Sequence, residues 1–391
     1  MTSSPLYLAC QKNDLARVES CLKKMKPKQI DVQYPPNNET ALHVATRNQN
    51  KEITRLLLRY GAQRSLRNAD DRQAYELAST KEIEDLFKRP KSSRFVFLHS
   101  SCNFPTTLFQ RKIKCESCSL VNDNTFYEWE LVDRNASQKA LRFRRELKLS
   151  TSMTEKGLKQ KLYSTKKGYI NAHLQDVSSA DGEKIRDYFK HALLQQDPYF
   201  IITAYTISQK FSELLNTDMA RNVIHDLKNG CSKFCCDCLY STEDGTKSIT
   251  SILLHHPKFQ ELNFKGGVYR GIVVPKNALA HYTVDSCIIT TTFLSTSKDP
   301  AIAQCFCDSS VPKSLDTHGY FCTYTLVNEN RTALDISGKS EFENEREVLI
   351  LPYSAFLITQ IEEGEEITNI YLQECDTKCL TNIFGSGSSE S

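Results

Sequence analysis

Acidic residues recur at positions 341, 343, 345 and 347, directly before the apolar run Val348-Leu349-Ile350-Leu351. In a strand, spacing by two puts all four carboxylates on one face. A solvated acidic stripe would show the same spacing, but the apolar run argues otherwise. It makes Glu347 the last residue before a strand buried on both faces, and a carboxylate at the mouth of such a strand marks a cleft. Two other segments of this half hold polar groups among apolar neighbours. Gly267-Val268-Tyr269-Arg270-Gly271-Ile272 reads as a strand with a single arginine, ordinarily a strand-edge residue. Thr292-Phe293-Leu294-Ser295-Thr296-Ser297-Lys298-Asp299-Pro300 reads as a strand running into a helix over 301–306, with Ser297 or Asp299 as its N-cap.

Cysteine and histidine clusters are the other candidates for chemistry. Cys115/Cys118 and Cys235/Cys238 have the two-residue gap of zinc ligands. The pairs are more than a hundred residues apart and flank different regions. Cys231, Cys235, Cys236 and Cys238 crowd one segment, but buried structural thiols are the simpler reading. His255-His256 before Pro257 requires no metal, and no metal is expected.

Taken together and in order, the first three segments resemble the arginine–serine–glutamate pattern of arginine-type mono-ADP-ribosyltransferases, a fold shared by vertebrate ecto-enzymes and several bacterial toxins. That family reads Y-R-G, then F-x-S-T-S, then E-x-E followed by V-L. This chain has Tyr269-Arg270-Gly271, Phe293-Leu294-Ser295-Thr296-Ser297 and Glu345-Arg346-Glu347-Val348-Leu349. The resemblance covers residues 195–372 and implies NAD as the bound substrate. Breaking the nicotinamide–ribose bond develops positive charge on the sugar, and a fixed carboxylate nearby stabilises it.

The resemblance gives that carboxylate role to Glu347. It gives Arg270 the diphosphate of NAD, which suits a permanently charged fork, and Ser295 the orienting of Glu347 or the ribose. Tyr269, Gly271, Thr296 and Ser297 complete the implied NAD side. Glu345, expected on the same strand face as Glu347, and Phe342 are the implied acceptor side. Glutamate at 345 accompanies arginine as the modified side chain. A register two residues earlier, pairing Glu343 with Glu345, is disfavoured by the directly following Val348-Leu349. The same NAD cleft could pass ribose to water instead, as a glycohydrolase, or could belong to an inactive adaptor.

The elements that must hold these segments in place are legible in coarser terms. A chain of 391 residues suits two or three domains. The formal charge of +3, from 50 basic against 47 acidic residues, excludes a whole-protein nucleic-acid footprint. The fifteen cysteines are odd in number and irregularly spaced, Met1 to Pro5 lacks the features of a signal peptide, and no run reaches the roughly 18 apolar residues of a span. A cytoplasmic, reducing setting with no membrane contact is the expectation.

The first stretch repeats itself. Pro5-Leu6-Tyr7-Leu8-Ala9-Cys10, Thr40-Ala41-Leu42-His43-Val44-Ala45 and Gln73-Ala74-Tyr75-Glu76-Leu77-Ala78 align, with Ala9, Ala45 and Ala78 spaced by 36 and 33 residues. Each is followed by a second apolar helix, and Gly61 ends the middle copy. This pattern resembles ankyrin repeats over residues 2–88. Three copies are near the minimum for stability, so the array should lean on the domain after it and offer a protein-binding surface.

A linker at 89–93 precedes apolar strand candidates at 94–98 and 126–132. A helix over 136–149 carries Arg142, Arg144, Arg145 and Lys148, read as a solvated basic face. Residues 94–190 form a middle region of no identified role. Helical spacing from Asp197 to Asn229-Gly230, and again near Ile252-Leu253-Leu254, precedes short β segments. The whole is an α+β chain: an all-α ankyrin solenoid, then an ADP-ribosyltransferase-like domain over 195–372 with a helical lobe and a β-rich NAD-binding core. Residues 385–391 read as a flexible tail.

Overall fold

Short polar side chains start the helices of the first ninety residues. Ser4 caps α1 (Pro5–Gln11) and Asp14 caps α2 (Leu15–Leu22), each accepting a backbone N–H of the first turn. A single turn, α3 (Pro27–Ile30), comes next. Thr40 caps α4 (Ala41–Arg47) reciprocally with His43, which takes the place of the usual glutamate, and Asn50 caps α5 (Lys51–Arg59). In the third copy the first helix has shrunk to a 3-10 turn, Ala74–Leu77, ahead of α6 (Lys81–Phe87). The three pairs stack on one core holding Leu6, Ala9, Leu42, Ala45, Leu57, Ala74 and Ile83. These are the residues whose recurrence marks the repeat.

The structure, a computed structural model, describes residues 3–25, 27–88, 128–149, 154–171, 174, 177, 179–230, 246–307 and 317–375. The expected linker at 89–93, the strand at 94–98, Cys115/Cys118, Cys231–Cys238 and the tail at 385–391 lie outside the described residues.

Beyond the array come β1 (Trp129–Val132), α7 (Ala136–Leu149), α8 (Glu155–Thr165), α9 (Ser179–Gln195), α10 (Tyr199–Ile207), α11 (Gln209–Asn229) and α12 (Thr246–His255). Gly230, in the left-handed region at φ 63°, ends α11. The remaining elements are β2 (Gly266–Pro275), β3 (Cys287–Thr290), β4 (Leu294–Ser297), α13 (Pro300–Cys307), β5 (Thr317–Leu326), β6 (Ala333–Asp335), β7 (Glu347–Ile350), β8 (Ala355–Glu362) and β9 (Ile367–Glu374). All nine strands join one sheet in the order β1-β3-β8-β9-β5-β2-β4-β7-β6, antiparallel except for β5 with β9. Helices first and strands later give the α+β class.

The sheet has two buried faces. Against one pack α7 to α12, with Ile201, Tyr205, Phe211 and Leu215 meeting Phe293, Leu349 and Leu351. On the other, Trp129, Val268, Ile272, Leu294, Tyr324 and Val348 share a core. That core draws on β1, first in the strand order, and on β7, next to last, so the sheet curls around it.

The described part of the middle region belongs to this unit. Strand β1 pairs with β3, and Phe143 of α7 stacks on Tyr353 at 5.6 Å. The solvated reading of the basic helix face fails for Arg144. Its guanidinium donates to the Arg331 carbonyl and, at 3.4 Å, to Ser354 Oγ. Burial lowers its pKa to about 10. A long side chain on a helix that lies over a sheet edge satisfies carbonyls there instead of reaching water.

The array meets this unit along a polar seam. The Gln63 side-chain amide donates to Tyr188 Oη on α9, while within the array Gln63 N–H donates to Asp31 Oδ1 at 2.8 Å. Burial is the largest influence on Asp31 and raises its carboxyl pKa to about 6, against the pull of Lys184. A raised folded-state pKa contributes stability that is complete below the unfolded value and is lost as pH rises through about 6. Relative to Asp31→Asn, the wild-type chain should therefore lose urea-midpoint stability between pH 5 and pH 7. A constant difference across that range would contradict this account.

Candidate active site

The three sequence segments lie on three consecutive strands, β2, β4 and β7. Strand β4 pairs with β7 over four residues, Leu294 to Ser297 against Ile350 to Glu347. Strands β2 and β4 share one paired position, Tyr269 with Ser297. Paired residues project to one face, so Tyr269, Ser297 and Glu347 form a row, with Ser295 beside Leu349 in the next. This is the face covered by the helices.

Arg270 has the opposite parity and enters the curled side between Val268 and Ile272. It is buried at 4% exposure. Its guanidinium turns to the gap beside β4, where Nη1 donates to the Ser295 carbonyl at 2.7 Å. Nε donates to Glu128 Oε2 at 3.2 Å, and Nη2 pairs with Glu128 Oε1. A bidentate ion pair thus links β2 to the residue just before β1. Sequence reading missed Glu128. The one available signal was its place directly before Trp129 in an apolar-alternating stretch.

Glu347 is fully buried as the first residue of β7, whose four residues are all buried. It is not the partly exposed carboxylate that a strand mouth suggests. Ser340 Oγ donates to its Oε2 at 3.4 Å. Tyr205 of α10 lies close by. Burial pushes its hydroxyl pKa up to about 12, with the Glu347 charge adding to the rise and contact with Asn216 and Ser295 opposing it. Asn216 of α11 donates to Tyr205 Oη and to the Phe293 carbonyl, each at 3.1 Å, and accepts from Phe293 N–H at 3.3 Å. Tyr205 and Asn216 thereby join the helical layer to Ser295 and Glu347. Neither was singled out in the sequence, because polar tips on apolar helices give no local signal.

Alternation over 341–347 does not produce a strand. Residues Glu343–Glu345 form a 3-10 turn and Arg346 is left-handed at φ 49°. Local hydrogen bonds replace the ladder: Phe342 N–H goes to Ser340 Oγ at 3.0 Å and Arg346 N–H to the Glu343 carbonyl at 3.1 Å. The carboxylates therefore diverge. Glu341 and Glu343 turn to the repeat array, and the shared face expected for Glu345 and Glu347 is absent. Glu345 and Phe342 are each buried at 4% exposure. Helix α10 holds this loop, with Thr203 Oγ1 donating to the Lys339 carbonyl and Thr206 Oγ1 accepting Glu341 N–H, both at 2.9 Å.

The remaining predicted residues have backbone tasks. Thr296 Oγ1 donates to the Val348 carbonyl at 2.6 Å, and Ser297 Oγ to the Glu345 carbonyl at 2.8 Å, which ties β4 to the turn before Glu347. Asp299 accepts Ala301 N–H at 2.9 Å and so starts α13. Tyr269 packs its ring against Phe321 at 5.9 Å. A Cβ on Gly271 would sit 2.1 Å from the Ala303 carbonyl oxygen of α13, so this glycine is where that helix crosses the sheet. Among the described residues no group of three or more histidine, cysteine or acidic side chains could hold a metal ion.

Comparisons agree on the N-terminal part. Residues 2–88 match the family of ankyrin repeats in three copies. Ankyrin repeat and SOCS box protein 11 of Homo sapiens is 38% identical over 78 residues, which is 20% of this chain and 23% of that protein. The chain thus spans about a quarter of the length of the curated relatives it matches. Among solved structures, Vis toxin, an ADP-ribosyltransferase from Vibrio splendidus, is 19% identical over 64% of this chain and 89% of its own, with a TM-score of 0.29. The type III effector XopAI from Xanthomonas axonopodis pv. citri is 17% identical over 62% and 97%, with a TM-score of 0.39.

Two substitutions test this geometry by chemical denaturation. Glu128→Ala leaves Arg270 buried without its carboxylate and should cost about 3 kcal/mol or more. Gly271→Ala pushes a methyl into α13 backbone and should cost roughly 1–3 kcal/mol. Loss of less than about 0.5 kcal/mol in either variant would mean that the contact is not made in solution.

Proposed function

We propose that residues 195–372 transfer ADP-ribose from NAD to a protein arginine, releasing nicotinamide. The observation that carries this reading is the gathering of three distant segments onto neighbouring strands, with Glu347 opposite Ser297 and the Arg270 guanidinium on the Ser295 carbonyl. These are the segments whose order resembles the arginine-type transferases.

Glu347, held in a dry setting by β7 and Ser340, supplies the fixed negative charge that an oxocarbenium-like ribose needs. The helical layer excludes water on that side through Tyr205 and Asn216. Arg270 brings its charge to the fork between β2 and β4. A diphosphate drawn there would share the guanidinium with Glu128, one anion partly replacing another. Tyr269, Gly271, Thr296 and Ser297 set the strand and turn geometry of the NAD side. Glu345 and Phe342 form the acceptor side, and a carboxylate beside an aromatic face suits a planar guanidinium.

The ankyrin repeats serve as a platform for a protein partner, and the setting is cytoplasmic. Free thiols at Cys10, Cys307 and Cys322 accord with reducing conditions. Among the described residues no helix is long and apolar enough to cross a membrane.

Glu347→Gln keeps shape and hydrogen bonding but removes the charge. It should lower nicotinamide release from labelled NAD by about 10²-fold or more while leaving the thermal melt unchanged. Undiminished release in a folded Glu347→Gln variant would defeat the assignment. Label appearing only as free ADP-ribose, with a guanidine acceptor present, would make the enzyme a glycohydrolase instead.

A further inference from the structure

The loop between the second and third repeats, residues 62–67, lies directly on the turn that precedes Glu347. Arg64 N–H donates to Glu341 Oε1 at 3.0 Å, and Ser65 Oγ donates to Oε2 of the same carboxylate at 2.9 Å. Arg67 Nη2 pairs with Glu343 Oε1 at 2.5 Å. Lys184 of α9 approaches Glu341 at 3.7 Å from the other side. Two of the loop's carboxylates are therefore engaged by the repeats.

The Arg64 side chain is placed differently. Its guanidinium carbon stands 4.9 Å from the centre of the Phe342 ring, a cation over an aromatic face. Glu341, Asp181 and Glu345 all act on its charge, against the cost of burial. Yet Arg64 Nε is enclosed and has no hydrogen-bond partner among the described residues. An unpartnered buried donor is unfavourable, so the side chain is not what anchors the loop. Backbone and neighbours do the anchoring, and the guanidinium is carried into a setting of one ring and several carboxylates.

We propose that the ankyrin array plugs the acceptor side of the site, with Arg64 lodged where the guanidinium of an arginine acceptor would bind. This rests on the reading of Phe342 and Glu345 as the acceptor side. A fork-shaped cation beside an aromatic face and carboxylates is the chemistry by which an arginine substrate would be recognised. One such group fits there at a time. In the docked chain the occupant is the protein's own, and an external arginine must displace it.

The test compares the full-length chain with Arg64→Ser and Arg64→Lys, all checked for folding by thermal melt. Agmatine, a small guanidine, is the probe, and its binding is measured by calorimetry without NAD. The Ser variant should bind agmatine at least tenfold more tightly than wild type. The Lys variant, which keeps the charge but lacks the fork, should fall between. Equal affinity across the three chains, or no binding by any, overturns the plug. If the Ser variant fails to fold, the Lys variant against wild type decides the matter alone. Nicotinamide release from NAD in the same chains keeps the two readings apart. Tighter agmatine binding without release upholds the plug and defeats the transferase. Release that agmatine stimulates equally in wild type and variant does the reverse.

Discussion

A charged arginine inside a curled sheet is the constraint on which the rest of this unit depends. Arg270 stands on the apolar side of β2, between Val268 and Ile272, where an isolated charge would cost far more than the fold can spare. Glu128 neutralises it and takes two of its donors, while the Ser295 carbonyl takes a third. Satisfying the guanidinium requires β1, β2 and β4 to be present together, although they are drawn from widely separated parts of the chain. Residues just ahead of β1 thereby become part of the same assembly as the strands near 270 and 295. Trp129, one residue on, extends the link by donating from Nε1 to Tyr324 Oη at 3.1 Å.

On the helix-covered side of the same strands the constraint is a carboxylate, and Tyr205 there feels the charges of both Glu347 and Arg270. Glu347 opens a fully buried strand, and its position is fixed from three directions. The ladder to Ser297 sets its height, the turn at Glu343–Glu345 with left-handed Arg346 delivers it, and Ser340 reaches back to its side chain. Thr203 and Thr206 of α10 hold the loop upstream, so the helical layer determines how that turn is presented. The same helix carries Tyr205 towards Glu347. A single nine-residue helix thus links loop, hydroxyl and carboxylate.

The parts read from sequence were those with local signatures. The repeat spacing located the array, the apolar residues around Arg270 and directly after Glu347 located β2 and β7, and Gly230 marked the end of α11. What could not be read was the fate of polar groups whose partners lie far along the chain. Glu128 is 142 residues from Arg270, and no periodicity connects them. Spacing by two over 341–347 was misleading because the backbone there is satisfied by Ser340 and by its own turn. Without a ladder the period-two rule has no strand to act on. Arg144 departed from its expected solvated face for the same reason: the carbonyl it reaches, at Arg331, belongs to a remote element.

The join between array and sheet unit is polar in character. The core of the repeats, around Leu42 and Leu57, is separate from both cores of the sheet. Contact runs instead from Gln63, Ser65 and Arg67 of the array to Tyr188, Glu341 and Glu343 of the sheet unit. Such contacts exchange readily with water, and interfaces of this kind between domains permit relative motion far more easily than a shared apolar core would. An array this short gains stability from docking, yet what it docks on is the loop that shapes the approach to Glu347. Support of the repeats is therefore tied to the contact of Arg64 with the Phe342 ring.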